Sequence, residues 1–304
     1  MSMNYSKGTT DFHIEGPTAV SLGKFDGLHR GHQQLISRIL AKRSEGMASV
    51  IFTFDFEGAR GLMLNWERRR MLEEQGVDYL LECPFVPEIS RMEPEDFVGK
   101  VLKDRLHAAY LAVGTDFRFG YQRKGDYRLL QQMARECGYQ VEVVEKEQYE
   151  GRDISSSFIK EELEKGNLEL VNDLLGYAYS VTGPVIHGQA LGRSMGIPTI
   201  NLQPDEAKML PPNGVYATCS RIEDRIYEGI TNVGYKPTVE GGNVRGVETY
   251  LFDVNEDLYG KEVTVSFYAF ERPERKFGSL EELKEQLARD VQWGRKWFKK
   301  VHFV

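Results

Sequence analysis

Gly23-Lys24-Phe25-Asp26-Gly27-Leu28-His29-Arg30-Gly31-His32 is the stretch whose reading decides the fold. Ahead of it Ala19, Val20 and Leu22 make an apolar run of the buried-strand type. Behind it Gln33, Leu35, Ile36, Ile39 and Leu40 recur at helical spacing. The stretch is therefore a glycine-rich turn from a strand into a helix N-terminus. Such a junction gathers backbone N–H groups and the positive end of a helix dipole, and its glycines let the main chain approach an anion closely. His29 and His32 add two imidazoles at the same point, suited to steadying charge on a triphosphate as it is split. His29 and His32 are thus candidate catalytic residues, and Gly23, Phe25, Gly27 and Gly31 candidate phosphate-binding positions.

The same alternation continues outward. Ser49 to Phe54 reads as a buried strand, Glu67 to Gln75 as a helix and Asp78 to Leu81 as a strand. Pro94 to His107 reads as a helix, Tyr110 to Val113 as a strand ending at Gly114, Tyr127 to Cys137 as a helix and Tyr139 to Val144 as a strand. Alternating βαβα with apolar strands predicts a Rossmann-like parallel sheet covered on both faces. Ligands of such sheets bind at the carboxyl ends of the strands. Both the histidine turn and Gly114-Thr115-Asp116-Phe117-Arg118-Phe119-Gly120 fall at such ends.

After a helix predicted over Ser156–Leu175 the rhythm changes. Tyr179–Thr182, Gly214–Cys219, Arg225–Ile230, Val247–Phe252 and Val263–Tyr268 are β-rich and separated by Gly, Pro and Asn turns, which predicts a closed antiparallel barrel. A last helix is expected after Ser279, capped by Ser279 and Glu282, with Leu280, Leu283 and Leu287 as its buried face. The expected domains are 1–178 and 179–304, in keeping with 304 residues at about 150 per domain.

Composition narrows the partners. With 39 basic and 46 acidic side chains, a net charge of −7, the chain has no global attraction for nucleic acid or anionic membranes. Anionic substrates must be met by local clusters. Three dispersed cysteines, Cys83, Cys137 and Cys219, give neither a disulfide framework nor a zinc site, and a reducing cytoplasm suits them. No apolar run approaches 18 residues and the first residues have no signal-peptide core, so neither secretion nor membrane insertion is expected.

A second dense motif is Gly183-Pro184-Val185-Ile186-His187-Gly188-Gln189-Ala190-Leu191-Gly192-Arg193-Ser194-Met195-Gly196-Ile197-Pro198-Thr199-Ile200-Asn201. Its glycines and Arg193 suit a phosphate-holding loop. Thr199 and Asn201 flank one residue of an extended segment, so their oxygens point to one side and could serve Mg²⁺ beside phosphates. The residues alone equally allow a barrel turn in which both merely fix the backbone.

The first stretch resembles the H-x-G-H signature of nucleotidylyltransferases, and in its fuller form G-x-F-D-G-x-H-x-G-H it is similar to the bacterial bifunctional riboflavin kinase/FAD synthetase family. The second resembles that family's flavokinase pattern G-x-V-x-x-G-x-x-x-G-R-x-x-G-x-P-T-x-N. Asn232–Thr238, Val247–Asp253, Leu258–Lys261 and Arg272–Phe277 look like four further flavokinase motifs. Gly114–Gly120 and Ile154–Ser157 look like G-x-D-F-x-F-G and I-S-S-T of the first half. The resemblance spans roughly residues 18 to 297, with the motifs in order.

It implies two ATP-dependent reactions: phosphorylation of riboflavin to FMN in the barrel, and adenylylation of FMN to FAD in the first domain, with Mg²⁺ as cofactor. Glu248 would be the general base, Thr199 and Asn201 the Mg²⁺ ligands, and Gly188, Gly192 and Arg193 phosphate contacts. His29 and His32 would stabilise the phosphates, with Ser156, Ser157 and Lys160 meeting the leaving group at a helix start. Asp116, Arg118, Arg272 and Phe277 would place the flavin. A monomer or weak homo-oligomer in the cytoplasm is expected. From the residues alone, Glu248 is equally an ordinary strand residue.

Three departures concern the first half. Thr53-Phe54-Asp55-Phe56-Glu57-Gly58 lacks the family's T-F-x-P-H-P. Lys160 stands where arginine is usual, keeping the charge but losing the two-pronged contact. Gly176-Tyr177-Ala178-Tyr179 replaces G-R-P-Y. The alternatives are a riboflavin kinase whose first domain is weak, silent or regulatory, a flavin-storage protein, and a nucleotidylyltransferase for another acceptor.

Overall fold

Six parallel strands organise the first half of the computed structural model, which describes every residue except 1, 9–11, 56, 57, 59, 188–196, 238–242, 255 and 302–304. They are β1 (Asn4–Lys7), β2 (Thr18–Gly23), β3 (Ala48–Asp55), β4 (Tyr79–Pro84), β5 (Ala108–Gly114) and, after a short ribbon of β6 (Arg118–Phe119) and β7 (Gly125–Asp126), β8 (Gln140–Val144). The ribbon β9 (Gln148–Tyr149) and β10 (Arg152–Asp153) follows. The sheet order is β1-β4-β3-β2-β5-β8, so the chain proceeds outward from β2 in one direction and then resumes on its other side. That reversal puts the topological switch point between β2 and β5, where open α/β sheets bind ligands.

Both faces of the sheet are covered, and alternate residues serve each. Val20, Leu22, Val50, Phe52, Leu111 and Val113 pack on one side with Phe97, Val98, Val101 and Leu130. Ala19, Ile51, Leu80, Tyr110 and Ala112 pack on the other with Ile36 and Ile39 of α1 (Arg30–Ala41) and Leu72 of α2 (Asn65–Glu74). The remaining helices of this half are α3 (Pro87–Ser90), α4 (Pro94–Asp96) and α5 (Tyr127–Cys137).

Several elements depart from expectation. Strand β1 went unforeseen because Asn-Tyr-Ser-Lys carries little apolar signal. It joins the sheet edge beside β4, where Tyr5 Oη donates to Glu82 Oε2 at 2.7 Å. The predicted helix over Pro94–His107 is one α turn followed by a π-helix, Phe97–Lys103, whose wider turns bury Phe97, Val98, Val101 and Leu102 together. The predicted helix Ser156–Leu175 is two helices, α6 (Ser156–Lys165) and α7 (Leu168–Leu175). Gly166 lies between them at φ +79°, a conformation that ends helices.

The contacts divide the chain into two units, Met1–Ser156 and Ser157–Val304. The second unit is an antiparallel sheet of β11 (Ser180–Pro184), β12 (Thr199–Leu202), β13 (Gly214–Ile222), β14 (Arg225–Pro237), β15 (Asn243–Leu251) and β16 (Glu262–Pro273), in the order β11-β16-β13-β14-β15-β12. Its two edges meet where Ile186 bridges Asn201, with Ile186 N donating to Asn201 O at 2.8 Å, so the sheet curls toward closure as the barrel expectation required. Inside, the hydroxyls of Thr218, Thr231 and Thr249 link three strands at 2.7 and 2.8 Å. Outside, α8 (Leu280–Val301) lies against Val215, Ala217, Ile230 and Phe252 through Phe298 and Gly294, where a Cβ would collide with Ile230.

The leucine face expected for α8 is corrected. Leu280 is 64% exposed, Leu283 and Leu287 are half-buried, and the buried positions are Gln286, Asp290, Gly294 and Phe298. The stripe is set by Asp290, buried at 0% exposure and held by the Arg272 guanidinium at 2.9 and 2.6 Å, rather than by the leucines of the first turns. Ser279 Oγ does cap the helix, accepting from Glu282 N at 3.2 Å.

Helix α7 is tied to the barrel through Asn172, which donates to Phe267 O and accepts from Tyr179 N, both at 2.8 Å. A fragment 157–304 should therefore unfold cooperatively on its own. A fragment 180–304, stripped of α7 and Tyr179, should lose at least about 2 kcal/mol in urea titrations, counting about 1 kcal/mol each for the bonds that Phe267 O makes with Asn172 and Phe267 N with Tyr179. Equal stability of the two would show that α7 is not part of this unit's core.

Candidate functional site

The turn leaving β2 is strained where function was expected. Phe25 (φ 49°), Gly27 (φ 83°) and Leu28 (φ 38°) all lie in the left-handed region, which side-chain-bearing residues adopt only when the surroundings impose it. Among the contacts that hold it, Asp26 Oδ1 accepts from Leu62 N at 2.8 Å and Met63 N at 3.3 Å, Thr53 Oγ1 donates to Lys24 O at 3.1 Å, Gln33 Nε2 donates to Leu28 O at 2.9 Å, and Ser156 Oγ donates to Asp26 O at 2.8 Å. Gly23 and Gly31 lie close to the rings of the turn, since a Cβ at either would press at 3.3 Å on the Phe25 or His29 ring.

This turn delivers the two histidines together. His29 caps α1, its Nδ1 accepting from His32 N at 3.4 Å, and the two rings stack with centroids 3.7 Å apart. Phe25 lies against the His32 ring at 4.9 Å. Burial pushes the His29 pKa down to about 4, and burial, His29 and Arg68 together hold His32 well below the ordinary histidine value. Both imidazoles are therefore neutral at pH 7, and His32 Nδ1 is buried with no hydrogen-bond partner among the described residues. A bound polyphosphate at the end of α1 would reverse the sign of the local potential and supply an acceptor.

On the other side of the switch point, β5 ends at Gly114 and delivers Asp116, whose carboxylate pairs with Lys146 at 2.7 Å. Lys146 follows the end of β8 and also approaches Asp153 at 3.5 Å. It is a rim residue that the motifs gave no sign of; its position just past a strand end was the available signal. Arg118 is exposed, its Nη1 donating to Phe117 O at 2.9 Å. The last glycine of that motif, Gly120 (φ 71°), abuts Pro94, where a Cβ would clash. Ser156, Ser157 and Lys160 open α6 as expected of a helix start.

In the second unit the barrel register builds the other constellation. Asn201 of β12, Glu248 of β15 and Asn232 of β14 are direct cross-strand partners, so all three side chains share one face in one row. Thr199, two residues before Asn201 on that face, donates through Oγ1 to Glu248 Oε1 at 2.6 Å. Thr199, Asn201 and Glu248 are thus brought together. Asn232 was quoted only within a motif, and only the pairing of β14 with β15 shows that it adjoins Glu248. Arg272 is committed to Asp290, and the Arg275 guanidinium lies over the Phe277 ring at 4.8 Å. Gly188, Gly192 and Arg193, and likewise Phe56 and Glu57 of the departing segment, lie outside the described residues.

Hydroxyl, amide and carboxylate oxygens of this kind suit a hard cation. Among the described residues no cluster of three or more His, Cys, Asp or Glu side chains could hold a metal. No helix among the described residues is long and apolar enough to cross a membrane.

Comparison with known proteins agrees with the two halves. A family model described as riboflavin kinase matches residues 175–298, and one described as FAD synthetase matches residues 11–158. The chain is 35% identical over 291 residues to a bifunctional riboflavin kinase/FMN adenylyltransferase of Escherichia coli K12, covering 92% of each. It is 32% identical over 306 residues to one of Listeria monocytogenes, covering 96% of each. Among solved structures it resembles a chain from Streptococcus pneumoniae named as a macrolide-efflux protein, with TM-score 0.87 and 29% identity over 98% of this chain and 100% of that one.

The buried histidines make an acid-linked prediction. His29 titrates at about 4 when folded but near the ordinary 6.5 when unfolded, so the unfolded chain takes up the proton first as pH falls. Stability should therefore drop between pH 6.5 and 4, by up to about 3 kcal/mol from this residue. His29→Gln should flatten that loss in urea titrations across the range. An unchanged slope would mean that His29 is not held neutral.

Proposed function

The chain belongs to the bifunctional riboflavin kinase/FMN adenylyltransferase family, and from that premise we infer which residues carry its two reactions. It is an enzyme that phosphorylates riboflavin to FMN and adenylylates FMN to FAD, with ATP as co-substrate of both. The reading in which only the kinase half works is not favoured. The observation that carries the assignment of roles is the separation of two constellations, one at the switch point of the first unit and one on the outer face of the barrel.

In the kinase reaction the ribityl 5′-hydroxyl oxygen attacks the γ-phosphorus of ATP, Glu248 takes the hydroxyl proton and ADP leaves. Thr199 is bonded to that same carboxylate and thereby fixes its rotamer. Thr199 and Asn201 would hold Mg²⁺ together with the ATP phosphates. Bound there, the cation would neutralise charge on the transferred group. Gly188, Gly192 and Arg193 are assigned to the phosphates on sequence grounds, and Phe277 to the flavin. Arg272, paired with Asp290 but still partly exposed, is assigned to the flavin on the same grounds.

In the adenylyl transfer a phosphate oxygen of FMN attacks the α-phosphorus of ATP and pyrophosphate leaves. His29 caps the end of α1 where the polyphosphate would lie, His32 stands one turn inside, and both would donate hydrogen bonds to charge that grows in the transition state. Ser156, Ser157 and Lys160 at the start of α6 would meet the leaving pyrophosphate, and Asp116 and Arg118 would place FMN. A cytoplasmic monomer or weak homo-oligomer, without nucleic-acid or membrane partners, completes the proposal. It is supported by the unbridged Cys83, Cys137 and Cys219 and by the net negative charge.

Because the two residue sets are distinct, their variants should separate the activities. Glu248→Gln should cut FMN formation by roughly 10²–10⁴-fold, the usual contribution of a general base, while added FMN is still converted to FAD. His29→Ala or His32→Ala should abolish FAD formation and leave FMN formation near wild type. Product chromatography checks both. A Glu248→Gln enzyme retaining more than about a third of its kinase turnover would remove Glu248 from this role.

A further inference from the structure

Glu248 has two neighbours in its row, and only one of them is accounted for by the phosphates. On the β12 side stand Thr199 and Asn201; on the β14 side stands Asn232, directly paired with Glu248. The attacking 5′-hydroxyl must sit at Glu248 between the ATP phosphates and the rest of riboflavin. If the phosphates occupy the β12 side, the ribityl chain leaves along the β14 side, past Asn232.

The amide there is fixed by its surroundings. Asn232 Nδ2 donates to Glu274 Oε1 at 3.2 Å, and the other carboxylate oxygen of Glu274 accepts from Asn213 Nδ2 at 3.0 Å. Asn213 Oδ1 in turn accepts from Arg245 Nε at 3.0 Å. A carboxylate only accepts, so it dictates which end of the Asn232 amide faces it. The amide oxygen is left as an acceptor with no donor among the described residues. Gly234, two residues on and on the same face, makes this possible, because a Cβ there would collide with the Glu274 carboxylate. Gly234 is paired directly with Gly246 on β15, so neither strand adds a side chain of its own beside the Glu274 carboxylate that lies over Gly234.

We propose that Asn232 binds the ribityl hydroxyls of riboflavin through its amide oxygen, and that Glu274 is the positioning residue that holds the amide in that orientation. This rests on the kinase reading above. The contact selects for a polyhydroxy chain on the flavin, independently of the tricyclic ring. A neutral amide suits the place better than a carboxylate, since Glu248 and Glu274 flank it.

The test compares ligands with and without the chain in the full-length enzyme. Steady-state kinase assays give KM for riboflavin, KM for ATP and the inhibition constant of lumichrome, the tricycle without the ribityl chain. Asn232→Ala should raise KM for riboflavin roughly tenfold, the worth of one well-made hydrogen bond at the strong end of its range. KM for ATP and lumichrome inhibition should stay within about twofold, a spread too small to count as a lost contact. Asn232→Ser, which keeps an acceptor oxygen, should recover part of the loss, and it serves in place of Asn232→Ala if the latter fails to fold. Glu274→Ala should raise KM for riboflavin in the same selective way, and Glu274→Gln, whose amide oxygen can still accept, should do so less. Equal weakening of riboflavin and lumichrome, or no change in KM for riboflavin, would overturn the proposal. A wild-type enzyme that does not phosphorylate riboflavin would instead overturn the kinase reading beneath it.

Discussion

The backbone between Gly23 and His32 is the constraint on which the first unit depends. Three residues in the left-handed region, two of them with large apolar side chains, compress the passage from β2 into α1. Phe25 and Leu28 are both fully buried, so their packing offsets strain that would otherwise open the turn. The outcome is that α1 begins immediately at the switch point, with His29 as its cap and His32 one turn inside. Stacked, desolvated and neutral, the two rings are placed before any ligand arrives. That preorganisation avoids a reorganisation cost at the moment of reaction.

The second unit reaches a comparable result by strand register instead of by a turn. A one-residue slip of β12 against β15 would turn Thr199 and Asn201 away from Glu248. The strands beside β12 are held from both faces. The threonine hydroxyls chained across β13, β14 and β15 link them inside, and α8 lies outside through Phe298, Gly294 and the Arg272–Asp290 pair, whose carboxylate is buried. A carboxylate buried in this way is costly to leave without its partner. It serves here to hold the helix that covers the apolar part of the face and leaves the row of Asn201, Glu248 and Asn232 beyond it.

Much of this was legible in the sequence. Apolar strands alternating with helical stretches gave the parallel sheet, and the glycine-rich turn with two histidines gave the site at its centre. What escaped was decided by tertiary pairing. Strand β1 is polar and forms only because β4 offers it an edge. Asp290 reads as a solvent-facing helix residue until Arg272 is known to reach it, and so the expected face of α8 began at the exposed Leu280 and missed its most buried positions. Lys146 belongs to no motif and becomes a rim residue only because β8 lies next to β5. The adjacency of Asn232 to Glu248 depends on a register that periodicity alone does not specify.

The account's central claim is that one chain draws two different groups from ATP, a phosphoryl group in the barrel and an adenylyl group at the switch point. Feeding riboflavin and Mg²⁺ with ATP labelled at the γ-phosphorus in one reaction and at the α-phosphorus in another measures this directly. The account predicts FMN carrying only the γ-label and FAD carrying both, one on each side of its pyrophosphate bridge. Flavin that takes up the γ-label but never the α-label would contradict it.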